Sequence, residues 1–217
     1  MTKIQSLTKA FSTKVKEYLN QNPEPHMTLH IITPCSRPEN IAALQQSVNR
    51  YAAQAIHHIC FDTSKVQGRF ATFTPDRTKI YTAEGGVSGN LQRNTVIQAL
   101  KATADPMDWL FVLDDDNLLH PNFMQLLHQP ELQDRRCNIL TFDQELEHGV
   151  IRKGNDTRVG YIDQAQFMIR LGLQEEYEQD YNADGILISR LIAKNLNSWL
   201  YLPRTYSYYN RLRWNHE

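Results

Sequence analysis

Three consecutive aspartates, Asp114, Asp115 and Asp116, follow the apolar run "WLFVL" at 109–113. Like charges repel, and burying them costs more still, so a run of this kind needs a compensating cation. Two convergent carboxylates at a strand end suit a hard divalent ion, Mn2+ or Mg2+, with phosphate oxygens completing its shell. Side chains alternate along an extended backbone, which would send Asp114 and Asp116 one way and Asp115 the other. A competing reading is an acidic turn capping a helix that starts at Pro121. One acid is enough for a cap, however, and here there are three.

The elements that would position these acids follow from the apolar pattern. "MTLHIITP" reads as a strand ending at Pro34, and "SRPENIAALQQSVNRYA" as a helix with Ile41, Leu44 and Val48 inward. "AIHHICFD" is a second strand, ending at Asp62, and "KIYTA" a third. "LQRNTVIQALKATA" is a helix with Ser88 or Asn90 as N-cap, and "DWLFVLDD" the clearest strand. This alternation predicts an α/β fold with a mostly parallel, Rossmann-like sheet flanked by helices. Ligands of such sheets sit beyond the carboxyl ends of the strands, where Pro34, Asp62 and Asp114–Asp116 all fall. After residue 121 the alternation loosens. "CNILTFD" and "SWLYLP" read as strands, "YIDQAQFMIR" as a strand running into a helix or second strand, and "DYNADGILISRLIAKN" as an amphipathic helix.

Bulk properties exclude several classes. The 217 residues carry a formal net charge of -1, which gives no nucleic-acid signature. Three dispersed cysteines form no CxxC pair, arguing against a zinc site or a disulfide framework and for a reducing compartment. No signal-peptide pattern or bilayer-length apolar run is present, so a cytoplasmic protein is expected. Residues 2–20 have an amphipathic helical pattern with a basic face. They are expected to pack on the domain; the alternative is weak contact with the inner face of the membrane. "NQNPEPH" at 20–26 reads as a linker.

With these motifs in order, the chain resembles glycosyltransferases of the GT-A fold. "HIITPCSRPENI" resembles their first strand and nucleotide loop, "GNLQRNTVIQAL" their Arg-Asn helix, and "FVLDDDN" their metal strand. The set "TP-x-x-RP … QRN … DDDN" is similar to glucuronosyltransferases of family forty-three. "YIDQAQFMIR", "DYNADGILISRL" and "YYNRLR" look more like small bacterial family-two proteins that build polysaccharides. The resemblance implies a GT-A domain over 27–217 behind an N-terminal helix and linker at 1–26. Residues 27–120 would bind the nucleotide-sugar and 121–217 the acceptor.

It also implies site residues. Pro34 and Arg37 would line the nucleotide pocket, with Asp62 facing the base or capping a turn. Arg93 and Asn94 would lie near the donor, or Arg93 would be a buried ion pair ordering the aspartate loop. Asp116 and Asp114 would hold Mn2+ or Mg2+, with Asp114 towards the nucleotide, Asp115 near the ribose and Asn117 in support. An inverting transferase needs a carboxylate base, for which Asp184 is first by order and Asp180 and Asp163 are alternatives. Asp184 could instead be an N-cap, and Asp163 fits a cap or acceptor-positioning role better than a base. The tail departs from family forty-three, since no His stands in the matching place. Arg211 or Arg213 would close over the diphosphate, and His216 is a weak ligand candidate.

The expected partners are a nucleoside-diphosphate sugar, uridine-linked, and a glycan or lipid-linked glycan acceptor. Two rival readings remain. One is a haloacid-dehalogenase-type phosphatase or phosphotransferase using Asp114 as nucleophile, against which stands Asn117-Leu118 after the second Asp. The other is a non-catalytic nucleotide-sugar-binding protein.

Overall fold

The computed structural model describes residues 27–66 and 77–213. The expected helix at 2–20, the linker at 20–26 and His216 lie outside the described residues.

Among the described residues a nine-stranded sheet runs through both halves of the chain. Its strands are β1 (Leu29–Cys35), β2 (Ile56–Asp62), β3 (Thr78–Ala83), β4 (Trp109–Val112), β5 (Leu118–Leu119), β6 (Ile139–Glu145), β7 (Ile151–Arg152), β8 (Phe167–Arg170) and β9 (Trp199–Tyr208). The spatial order is β3-β2-β1-β4-β8-β6-β9-β5, with β7 paired to β6. Three long helices flank it: α1 (Ile41–Tyr51), α2 (Asn90–Lys101) and α3 (Ala183–Lys194).

The first four strands are mutually parallel, as the strand–helix alternation requires. Parallel pairing covers most of the register, as expected, and β9 continues it alongside β6, but the sheet becomes mixed beyond the first four strands. β8 runs antiparallel to both β4 and β6, and β5 and β7 are also antiparallel to their neighbours. The cause lies in the connections. No long helix separates β4, β5 and β6, so nothing there enforces parallel crossovers.

Both faces of the central strands are covered, which explains their continuous apolar runs. In β1 and β4, Leu29, Ile31, Trp109 and Phe111 pack with Leu44 and Val48 of α1 on one face. Ile32, Leu110 and Val112 pack with Val96 and Ile97 of α2 and Leu187 of α3 on the other. All three cysteines are free and buried. No helix among the described residues is long and apolar enough to cross a membrane.

The N-cap expected at Ser88 or Asn90 is neither. Gly89 holds that position with φ 78° and no side-chain cap. A Cβ there would come 2.8 Å from the Pro34 Cβ, so glycine lets α2 start against the end of β1. The Asn90 amide is used elsewhere, donating to the carbonyls of Glu178 and Asp180 at 2.9 and 2.8 Å.

Polar side chains within the sheet form a chain across β3, β2, β1 and the start of β4. Tyr81 lies 3.2 Å from His58 Nδ1, His58 Nε2 lies 2.9 Å from His30 Nδ1, and His30 Nε2 lies 3.2 Å from Asp108. His57 meets the Thr33 hydroxyl at 2.9 Å. Burial lowers the pKa of His57 to about 4. The folded state therefore holds His57 neutral, and its contribution to stability is lost as pH falls from 6.5 towards 4. A His57→Gln variant should lose less stability than the parent between pH 7 and pH 4.5. The expected difference is about 2 kcal/mol, read by urea unfolding at the two pH values. Identical losses would contradict a neutral buried His57.

Candidate active site

A cleft of about 380 Å³ opens beyond the carboxyl ends of β1, β2 and β4. One wall carries Pro34, Arg37, Asp62, Arg93 and the three aspartates; Asp163, Asp184 and Arg213 complete it from the second half of the chain.

The strand ends at Val112, before the aspartates, and the Asn117 amide donates to the Asp114 carbonyl at 3.0 Å to close a turn. Simple alternation therefore does not set the three side chains. Each finds an arginine instead. Arg93, buried on α2, pairs with Asp114 at 2.7 Å. Arg37 Nε donates to Asp115 at 2.9 Å, and its Nη2 contacts both Asp115 and Asp116, the latter at 2.8 Å. Arg213 Nε reaches Asp116 at 2.6 Å. Burial raises the Asp116 pKa to about 6, helped by Asp114 and Asp115 and opposed by Arg37 and Arg213. For Arg93, burial lowers the pKa, but Asp114, Tyr177 and Asp184 together more than offset it, leaving a net upward shift.

Asp115 was expected near a ribose. It is 2% exposed, and both of its oxygens are engaged. One accepts from the Ser36 and Arg37 amides at 2.7 Å each and from the Ser36 hydroxyl at 3.2 Å; the other accepts from the Arg37 guanidinium. Its task is to pin the loop after β1 to the aspartate turn. Asn117 serves the tail rather than a metal, accepting from the Asn210 amide at 2.7 Å. Asp62 takes the turn-capping role, bound by the Ser64 amide and hydroxyl and the Gly85 amide. Burial would raise its pKa, but these bonds outweigh that and hold it low.

Three expectations miss the cleft. The Asn94 amide exchanges two 2.8 Å bonds with the Tyr177 backbone, so its polar atoms are spent on packing. Arg211 turns away and lies over the Tyr208 ring, 5.2 Å from its centroid, leaving Arg213 as the tail arginine in the cleft. Asp180 is exposed and accepts from the Asn182 amide at 2.7 Å, completing a surface turn.

Asp184 and Asp163 do reach the cleft. Asp184 lies in the first turn of α3, where Asn182, not Asp184, is the N-cap. It accepts from the Gly185 amide at 2.7 Å. Burial raises its pKa; Gly185 and Arg93 pull it back. Asp163 is a capping residue, with its side chain accepting from Ala165 and Gln144 at 3.0 Å each. Burial raises its pKa to about 6, with Asp114 and Asp184 adding to the shift.

Arg152 and Lys65 also line the cleft and were not anticipated. Arg152 sits on the two-residue β7 with its guanidinium 4.5 Å from the Tyr209 ring centroid. A strand this short leaves no periodic signal.

Among the described residues no group of three or more His, Cys, Asp or Glu side chains forms a ready metal cage. A divalent ion that takes one or two carboxylates and completes its shell with substrate phosphates and water needs no such cage. Asp114 and Asp116, in a cleft lined with arginines, fit that requirement.

No protein-family model matches the sequence, and no curated protein matches it. Solved structures do share its fold. Staphylococcus aureus TarS 1–349 in complex with UDP matches with a TM-score of 0.58 and 13% identity over 84% of this chain and 60% of that one. A mycobacterial protein matches with a TM-score of 0.55 and 12% identity over 82% of this chain and 66% of that one. The chain thus spans less than two thirds of either. The fold is α/β of the GT-A kind, with a central sheet and flanking helices.

The raised Asp163 pKa carries a sign. The folded state binds its proton more tightly than the unfolded chain, so ionising it destabilises the fold as pH rises from about 4 through about 6. Asp163→Asn can keep the cap acceptor and lacks that ionisation. Its stability should rise relative to the parent between pH 4 and pH 7, read by urea midpoints. A constant difference would refute the shift.

Proposed function

We propose that this protein is a metal-dependent, inverting glycosyltransferase. It moves a sugar from a nucleoside diphosphate, uridine-linked, to a hydroxyl of a glycan acceptor such as a bacterial surface polysaccharide. The observation that carries the reading is the make-up of one cleft. Arginines and the Asp114–Asp116 turn gather at the strand ends, and the carboxylate of Asp184 lines the same space. The UDP held by TarS, a protein of the same fold, supports the choice of nucleotide.

Arg37, Arg93 and Arg213 favour a polyanionic donor, since guanidinium pairs bidentately with phosphate oxygens. Asp114 and Asp116 would hold Mn2+ or Mg2+, which when bound stabilises negative charge on the departing diphosphate. Asp184 takes the acceptor's hydroxyl proton. The acceptor oxygen bonds to the anomeric carbon as the bond to the diphosphate oxygen breaks, and the diphosphate leaves with that electron pair. A carboxylate with a raised pKa is a better base for this step than an ordinary one. Asp184 is favoured over Asp163, whose side chain is committed to a cap.

Calorimetry with UDP and manganese provides the first test. Asp116→Ala should weaken manganese-dependent UDP binding more than about tenfold, as expected on losing a charged ligand. Asp184→Asn should keep UDP affinity within about twofold while sugar transfer falls about 10²- to 10⁴-fold. Unchanged UDP binding in the alanine variant, with and without metal, would sink the proposal. An asparagine variant that transfers sugar as well as its parent would take the base role from Asp184, and a parent that binds UDP without transferring sugar would be a binding protein rather than an enzyme.

A further inference from the structure

Among the arginines at the aspartate turn, Arg213 is held differently from the others. Arg93 is buried, bonded to both Asn90 and Asp114. Arg37 is fixed by Asp115 through its backbone amide and its guanidinium. The Arg213 side chain is 54% exposed and, among the described residues, makes one ion pair, to Asp116. Its backbone is anchored independently of that pair. The Leu212 amide donates to the Asp116 carbonyl at 2.9 Å, and the Asn210 amide to the Asn117 side chain at 2.7 Å. The guanidinium can leave Asp116 while the turn stays docked.

Charge balance supplies a reason for it to leave. Three carboxylates face three guanidiniums, so the turn is compensated without a metal. A divalent cation on Asp116 must compete with Arg213 for the same carboxylate and is repelled by its charge. A diphosphate arriving with the cation offers the displaced guanidinium a new anion.

We propose that Arg213 is an exchangeable counter-ion: it neutralises Asp116 in the absence of ligand and passes to the diphosphate when a divalent cation takes that carboxylate. This rests on the reading of the cleft as a metal-dependent nucleotide-sugar site. Metal and nucleotide are then coupled through one side chain, and the coupling is reciprocal.

Calorimetry on the full chain tests this with manganese alone and with UDP at saturating manganese. R213Q removes the competitor, so manganese alone should bind about 5- to 20-fold tighter. The same variant loses a phosphate contact, so UDP should bind about tenfold more weakly. R213K, which keeps the charge but offers a smaller, rotating donor group, should fall between parent and R213Q in both titrations. If R213Q does not fold, as judged by thermal melts, R213K alone must still move the two affinities in opposite directions. Affinities that move together, or not at all, in protein that binds UDP overturn the exchange and leave the transferase reading standing. A parent protein that binds no UDP overturns both.

Discussion

Everything around the cleft depends on making three adjacent carboxylates tolerable. Asp115 and Asp116 are 2% and 3% exposed, so repulsion and desolvation act together there. Arginines from three distant parts of the chain solve the problem: the loop after β1, the first turn of α2 and the turn after β9. Those three attachments close the strand ends of the first half against the tail of the second. A cluster that repels itself therefore becomes the point where the fold is tied together.

The arrangement also links stability to chemistry. An arginine that neutralises an aspartate is equally suited to a phosphate, so the groups that hold the cleft together have the chemistry that a polyanion needs. Asp114, whose partner Arg93 is buried, belongs to a rigid wall. Asp116, shared by Arg37 and Arg213, belongs to a wall whose charges can be rearranged. The interior carries a second polar system, the Tyr81–His58–His30–Asp108 chain, which joins the parallel strands near the amino ends of β1 and β4. It has the residue types of a catalytic relay, but His58, His30 and Asp108 are buried within the sheet, outside the cleft, and the chain satisfies polar groups there.

Much of the first half was legible in the sequence. β1 and β4 are apolar runs because both sheet faces are covered, and the aspartate turn stands out because no simple cap needs three acids. The second half was harder, since β7 and β5 have two residues each and β8 follows a single turn of tight helix. Pairing was least legible. Arg37 finds Asp115 across 78 residues, and no local pattern marks such a partner. Asn94 shows the same limit, because beside Arg93 it looked like part of a donor site, and only the packing of Tyr177 shows what its amide does. Arg211 and Arg213 were equivalent in sequence. The turn at Asn210, with φ 51°, sends one outward and the other to Asp116.

Crystals grown with manganese and UDP, examined by anomalous diffraction at the manganese edge, test the central claim most directly. A metal-dependent nucleotide-sugar site there requires one manganese peak beside Asp116, with the diphosphate among Arg37, Arg93 and Arg213. UDP bound elsewhere, or a manganese site that leaves Asp114 and Asp116 untouched, would contradict it.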